Sequence, residues 1–110
     1  MEPVTITKEL EVAAGSSGYL TLYTVPGGKT FRLKKTTVHF NDDCDYNLSL
    51  AIFFGVMKMV PTSGFLVGDN ETIESSIEVV YPPDTDVKLY YSNTGSSTVH
   101  ATVTLEGELE

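Results

Sequence analysis

Apolar residues recur at every second position along most of this chain, and that spacing marks out its strands. From Val4 to Val12, Val4, Ile6, Leu10 and Val12 share one face, with Lys8 as the exception, while Thr5, Thr7, Glu9 and Glu11 share the other. A period of two is what a half-buried strand requires. Ala13 to Gly18 reads as a turn, and Tyr19 to Val25 as a second strand ended by Pro26-Gly27-Gly28. There the proline fixes φ and the glycines admit positive φ. Thr30 to Asn41 is the third strand, and its phase changes: Phe31 and Leu33 are odd, Val38 and Phe40 even. One extra residue near Lys34-Lys35 would return all four to one face, so a β-bulge is expected there, or a strand that crosses between sheets at a corner.

The polar run Asn41-Asp42-Asp43-Cys44-Asp45 is a loop. Asn47 to Gly55 follows, with Leu48, Leu50, Ile52 and Phe54 inward, then a short apolar strand from Val56 to Val60. Thr62 to Asn70 is a loop region in which Phe65-Leu66-Val67 can tuck against the core. Glu71 to Tyr81 reads as one strand with Ile73, Ile77, Val79 and Tyr81 inward. After Pro82-Pro83-Asp84 come two last strands, Val87 to Asn93 and Thr98 to Leu109. About eight strands joined by short turns predict an all-β fold, a single antiparallel sandwich of jelly-roll-like type that occupies residues 1–110 as one domain.

Composition agrees with strands and narrows the partners. Five Phe, six Tyr and many β-branched residues suit a pleated surface. Seven basic against fifteen acidic residues give a net charge of −8. Such a surface repels nucleic-acid phosphates and anionic membranes, so neither is an expected partner. No apolar run approaches the roughly 18 residues of a membrane span. The start Met1-Glu2-Pro3-Val4 has no signal-peptide character, so synthesis in the cytoplasm is expected. The single cysteine, Cys44, has no internal partner for a disulfide.

Candidate chemistry is sparse. His39 and His100 lie on different strands, and neither they nor Cys44 sit in a spaced metal or nucleophile cluster, so no enzyme activity and no cofactor are expected. The carboxylates Asp42, Asp43 and Asp45, together with Asp84 and Asp86, occupy loops that a sandwich can bring to one end, where they would supply oxygen ligands for Ca²⁺. Turn chemistry accounts for the same residues, because Asp side chains bond to nearby backbone. Exposed aromatics are the other signal. Tyr19 and Tyr23 face outward if Leu20 and Leu22 face inward, Tyr90 does so if Tyr91 is buried, and Phe53 opposes Ile52 and Phe54. Aromatic faces anchor protein interfaces and bind sugars. Apolar surface beyond the inward face of Asn47 to Val60 predicts a homo-oligomer, unless the Thr62 to Asn70 loop folds over this patch within one chain through Phe65 and Leu66.

The segment Tyr23-Thr24-Val25-Pro26-Gly27-Gly28-Lys29-Thr30-Phe31-Arg32-Leu33-Lys34-Lys35 resembles a phrase of small β-sandwich proteins from bacteriophages and other prokaryotic viruses, a strand closed by a Val-Pro-x-Gly-Lys-type turn before a Thr-Phe-x-Leu strand. The resemblance implies a structural or interaction module of a virion, of tail, baseplate, fibre or head-decoration type, commonly trimeric. It would pair with itself and with other assembly proteins through strand edges and loops. It implies no catalytic residues. The alternative is a carbohydrate- or receptor-binding module that uses the exposed tyrosines, with Ca²⁺ in the acidic loops.

Overall fold

The alternation read from the sequence closes into two antiparallel sheets, and one strand shows how. The computed structural model describes residues 2–110. In β3 (Phe31–Phe40), Phe31, Leu33, Thr36, Val38 and Phe40 are buried while Arg32, Lys35 and His39 point out. Its neighbour β10 (Val99–Leu109) pairs Gly107 with Leu33 and Glu106 with Lys35, which leaves Lys34 without a partner on that strand. Lys34 is the bulge residue. The extra residue converts odd-phase Phe31 and Leu33 to the face of even-phase Val38 and Phe40.

Among the described residues the chain forms ten strands. One sheet has the order β1 (Glu2–Val12), β10, β3, with β7 (Glu71–Ser75) and β8 (Val79–Tyr81) end to end along the far side of β3. The other has the order β2 (Ser17–Thr24), β9 (Asp86–Asn93), β4 (Leu48–Phe54), β5 (Met57–Val60), with the two-residue β6 (Leu66–Val67) also on β4. All eight expected stretches contain strand. The count rises to ten because β6 pairs with β4 and because Glu71 to Tyr81 is two strands. That interruption lies against the bulge: Ser75 pairs with Thr36 and Val79 with Leu33, so three residues on this side face only Lys34 and Lys35. The chain changes sheet at each step from β1 to β4 and again from β8 to β10, β4–β6 and β7–β8 staying within one sheet each, and the first and last strands are adjacent, which is a jelly-roll-like arrangement.

Phe31, Leu33, Phe40, Leu48, Leu50, Ile52, Tyr81, Leu89 and Leu105 are fully buried between the sheets and belong to one core cluster. Two polar side chains tie the layers. The Tyr81 hydroxyl donates to the Phe53 carbonyl at one end. At the other, buried Asn93 donates to the carbonyls of Val12 (3.1 Å) and Ser97 (2.8 Å), and its own oxygen accepts from the Gly95 amide (2.9 Å). A buried amide satisfied on both its oxygen and its nitrogen costs little and fixes three chain segments at once.

β1 and β2 lie at the edges of their sheets and face each other along one side of the sandwich. Val4, Ile6, Leu20 and Leu22 are only partly covered there. Lys8 pairs with buried Val103 and so projects from β1 on the core side, as its phase in the sequence indicates.

Candidate functional site

The outer faces of the two sheets differ in chemistry. The β1–β10–β3 face carries Thr, Glu and basic residues joined by exposed ion pairs, among them Arg32 with Glu78 (2.8 Å) and Glu110 (3.3 Å), Lys34 with Glu108 (3.2 Å) and Lys35 with Glu74 (3.3 Å). The β2–β9–β4 face carries aromatic rings. Register places Tyr19 opposite Tyr90 and Tyr90 opposite Ala51, with Lys88 opposite Phe53 in the adjoining row. Tyr19 therefore meets Tyr90 at 5.2 Å and Phe53 at 5.4 Å, the latter edge to face, and Phe53 lies 6.2 Å from Tyr90. These separations are within the range in which aromatic pairs attract beyond simple burial.

A fourth ring joins from the segment before β6. Leu66 pairs with Leu50 and enters the core, so its neighbour Phe65 must lie outside, where it packs on Tyr90 at 5.6 Å. The Lys58 ammonium sits 4.4 Å from the Phe65 ring centre and also donates to the Gly64 carbonyl. Tyr19 stays 59% exposed and Phe65 46%. Ala51, in the middle of this face, has no exposed surface, because the surrounding side chains close over it. Of the expected aromatics, Tyr19, Phe53 and Tyr90 thus come together. Phe65 joins them from the Thr62 to Asn70 loop, which packs over part of this patch through Phe65 and Leu66 within the one chain.

Tyr23 is a correction. It was expected outward, but β2 has a bulge of its own: Thr21 pairs with Lys88 and Tyr23 with buried Val87, leaving Leu22 extra. The shift turns Tyr23 inward against Phe31, with ring centres 5.1 Å apart, and burial raises its phenol pKa.

The five loop aspartates do not converge. Asp42, Asp43 and Asp45 lie beside the end of β3 and the start of β4, whereas Asp84 and Asp86 lie at the opposite end, where the Asp84 amide bonds to the Val25 carbonyl and Asp86 accepts from the Thr24 hydroxyl at 2.8 Å. Their contacts tie separate segments together instead of converging on one point. Asp45 has φ of 46° and donates its amide to Asp69 (3.0 Å). Among the described residues no three of His, Cys, Asp and Glu are grouped to hold a metal ion.

Asp43 has a different partner. One carboxylate oxygen accepts from the His100 amide (3.1 Å) and the other meets His100 Nδ1 at 2.6 Å, while Glu11 lies 3.9 Å from Nε2. The hydrogen bond with Asp43 raises the His100 pKa, and the same bond lowers that of Asp43. Cys44 is adjacent but fully buried, and its thiol is aimed at the His100 carbonyl (3.2 Å), not at the imidazole. Burial, then the Asp43 charge, pushes the thiol up to about 11. A thiol in that state is a structural residue, not a nucleophile. The cluster fastens the β3–β4 loop to β10. His39 bonds Thr72 (2.9 Å) on the exposed face and stands apart from it.

No protein-family model and no curated protein matches the sequence. Solved structures do. A chain of the acidic stable capsid structure of Helicobacter pylori bacteriophage KHP30 superposes with a TM-score of 0.67 at 13% identity, covering 100% of this chain and 92% of that one. A chain of the capsid asymmetric unit of cyanophage Pam1 gives 0.59 at 9% identity, covering 96% and 83%. A chain of Sulfolobus Turreted Icosahedral Virus gives 0.64 at 16% identity and covers 98% of this chain but only 29% of its own length. The all-β sandwich of this protein is a fold it shares with chains of prokaryotic virus structures.

Proposed function

We propose that this protein is a non-enzymatic structural module of a virion, of tail, fibre or head-decoration type, which acts through protein–protein contacts that include contacts with its own copies. The aromatic outer face carries the reading. Four rings and the exposed residues beside them occupy one face, while the opposite face is charged and self-paired. Rigid aromatic side chains concentrate binding energy at interfaces because they bury much area with few rotors. The likeness of fold to chains from capsid structures supports the same reading.

The test is the mass in solution. Light scattering over a tenfold concentration range is expected to give more than the 12.0 kDa of one chain, and the double variant Tyr19→Ser, Phe65→Ser is expected to return it to 12.0 kDa with its fold intact. An unchanged mass in the double variant would remove the aromatic face from the assembly.

A second reading has one observation in its favour: Tyr19, Gly55, Val56 and Lys88 border a shallow depression where a sugar ring can stack. Binding on a glycan array that is lost in Tyr19→Ser would favour it.

A further inference from the structure

The loop between β3 and β4 is tied down on both sides by aspartates. Asp43 accepts from the His100 amide (3.1 Å), and its other oxygen meets His100 Nδ1 at 2.6 Å. On the far side Asp69 accepts from the Asp45 amide (3.0 Å). Backbone bonds run to the same neighbours, from the Asn41 amide to the His100 carbonyl (3.1 Å) and from the Tyr46 amide to the Gly68 carbonyl (3.3 Å). The chain inside these ties is strained. Asp45 (φ 46°), Tyr46 (59°) and Asn70 (48°) are three of the four non-glycine residues with positive φ among the described residues, and all lie here. Left-handed backbone at such residues persists only where surrounding contacts hold it. Asp42, Asp43, Asp45 and Tyr46 are exposed, and Cys44 alone among them is buried. Phe40 before the loop and Leu48 after it are fully buried, so the segment has two fixed ends.

We propose that the Asn41–Asn47 segment is an acid-released latch: ionised Asp43 holds it shut over Cys44, and protonation of Asp43 lets it open while the two sheets stay packed. One carboxylate is the acceptor in both His100 contacts, so a single proton weakens both. A protonated carboxyl carries an O–H, which cannot pair with the N–H of an imidazolium. The surroundings offer no substitute. Glu11 of β1 lies 3.9 Å from His100 Nε2, and Glu9 lines the depression beside His100. Asp42 and Asp45 flank Asp43 in the loop, Asp69 and Glu71 stand on its far side, and His39 of β3 is engaged with Thr72. Among the described residues no lysine or arginine pairs with Asp43. Protonation of Asp69 weakens its hold on the Asp45 amide and so acts in the same direction. Protonation of Glu9 and Glu11 only relieves like charge and opposes release. His100 holds the Asp43 carboxyl below its ordinary 3.8, so the latch is shut at neutral pH and releases as pH falls through that lower value. The device does not depend on how copies associate.

Cys44 reports the state of the latch. A dipyridyl disulfide, which reacts with thiols in acid as well as at neutral pH, is expected to label the parent slowly at pH 7. Below pH 3.8 labelling is expected to accelerate while the circular dichroism stays that of the folded chain. Asp43→Asn removes the charge without acid. At pH 7 it is expected to label at least about tenfold faster than the parent, the change that follows from one lost charge-assisted hydrogen bond, and to gain little more in acid. Low concentrations of urea separate local from global opening, because only global opening exposes enough surface to respond strongly. The fast labelling is expected to be nearly flat in urea. Asp43→Asn labelling as slowly as the parent at pH 7 would overturn the latch. So would acid labelling of the parent that appears only as its circular dichroism is lost, or that rises with urea as steeply as global unfolding does.

Discussion

The phenol of Tyr81, fully buried on β8, donates a 3.1 Å hydrogen bond to the backbone carbonyl of Phe53 in the opposite sheet. Its ring also lies 5.1 Å from Phe54 and 6.3 Å from Phe31. The strand that carries the outward aromatic is thereby pinned from behind by an inward one. Tyr81→Phe keeps the packing and removes the bond, which should cost about 0.5–1.5 kcal/mol. Tyr81→Ala should cost about 3–5 kcal/mol, as large-to-small changes in aromatic cores do. Urea unfolding of the two variants checks the ratio, and a Tyr81→Phe variant as stable as the parent would show that the hydroxyl contributes nothing.

The Lys34 bulge yields a sharper contrast. Deleting Lys34 should abolish folding, because either Phe31 and Leu33 or Val38 and Phe40 would turn to solvent. Lys34→Ala should stay within about 0.5 kcal/mol of the parent, since an exposed ion pair with Glu108 adds little. Across the bulge, a Cβ on Gly107 would lie 2.3 Å from the Arg32 carbonyl oxygen and 2.8 Å from the Phe31 ring. Gly107→Ala should therefore cost about 1–3 kcal/mol through forced backbone movement. An unshifted denaturation midpoint in Gly107→Ala would contradict the close approach.

Stability should depend on pH through Asp43 and His100. The His100 pKa is raised above its ordinary 6.5, so its contribution is complete below that value and is lost as pH rises through the folded one. The Asp43 pKa is lowered below its ordinary 3.8, so its contribution is complete above that value and is lost as pH falls through the folded one. Both act together between 3.8 and 6.5. The difference in Tm between the parent and His100→Gln should peak in this window, shrink by about pH 9, and weaken with added salt. A difference independent of pH would mean that the pair does not act through charge.

Cys44 should be silent in the folded protein. With its thiol fully buried and pushed up to about 11, it should not react with a disulfide reagent at pH 8 until denaturant is added. Rapid labelling of the native chain would contradict its placement under the β3–β4 loop.

How far the sequence foretold this structure varied with whether a feature disturbed the alternation. The bulge at Lys34 was legible because four large apolar residues change phase around it. The bulge at Leu22 was not, because Leu20 and Leu22 keep their spacing and Tyr23 is at home on either face. The break between β7 and β8 was silent for another reason: Ser75 and Val79 are both odd, so the run keeps its parity through the interruption. Tyr19, Phe53 and Tyr90 could be found as outward aromatics because each has a core residue for a neighbour. Phe65 depended on the path of a loop, which period does not encode. The Asp43–His100 pair joins residues 57 positions apart, and only the closing of β10 against β3 brings them together.

Lys8 bears on how such a chain stays safe at high concentration. An 11-residue edge strand with regular alternation is a template on which further strands can stack without limit. Lys8 interrupts that template, because another strand laid over the core side of β1 would have to strip water from its ammonium with no carboxylate supplied in return. Growth by backbone pairing is thus discouraged along β1, and one charged side chain on the core face of an otherwise regular edge strand guards the fold against fibril formation.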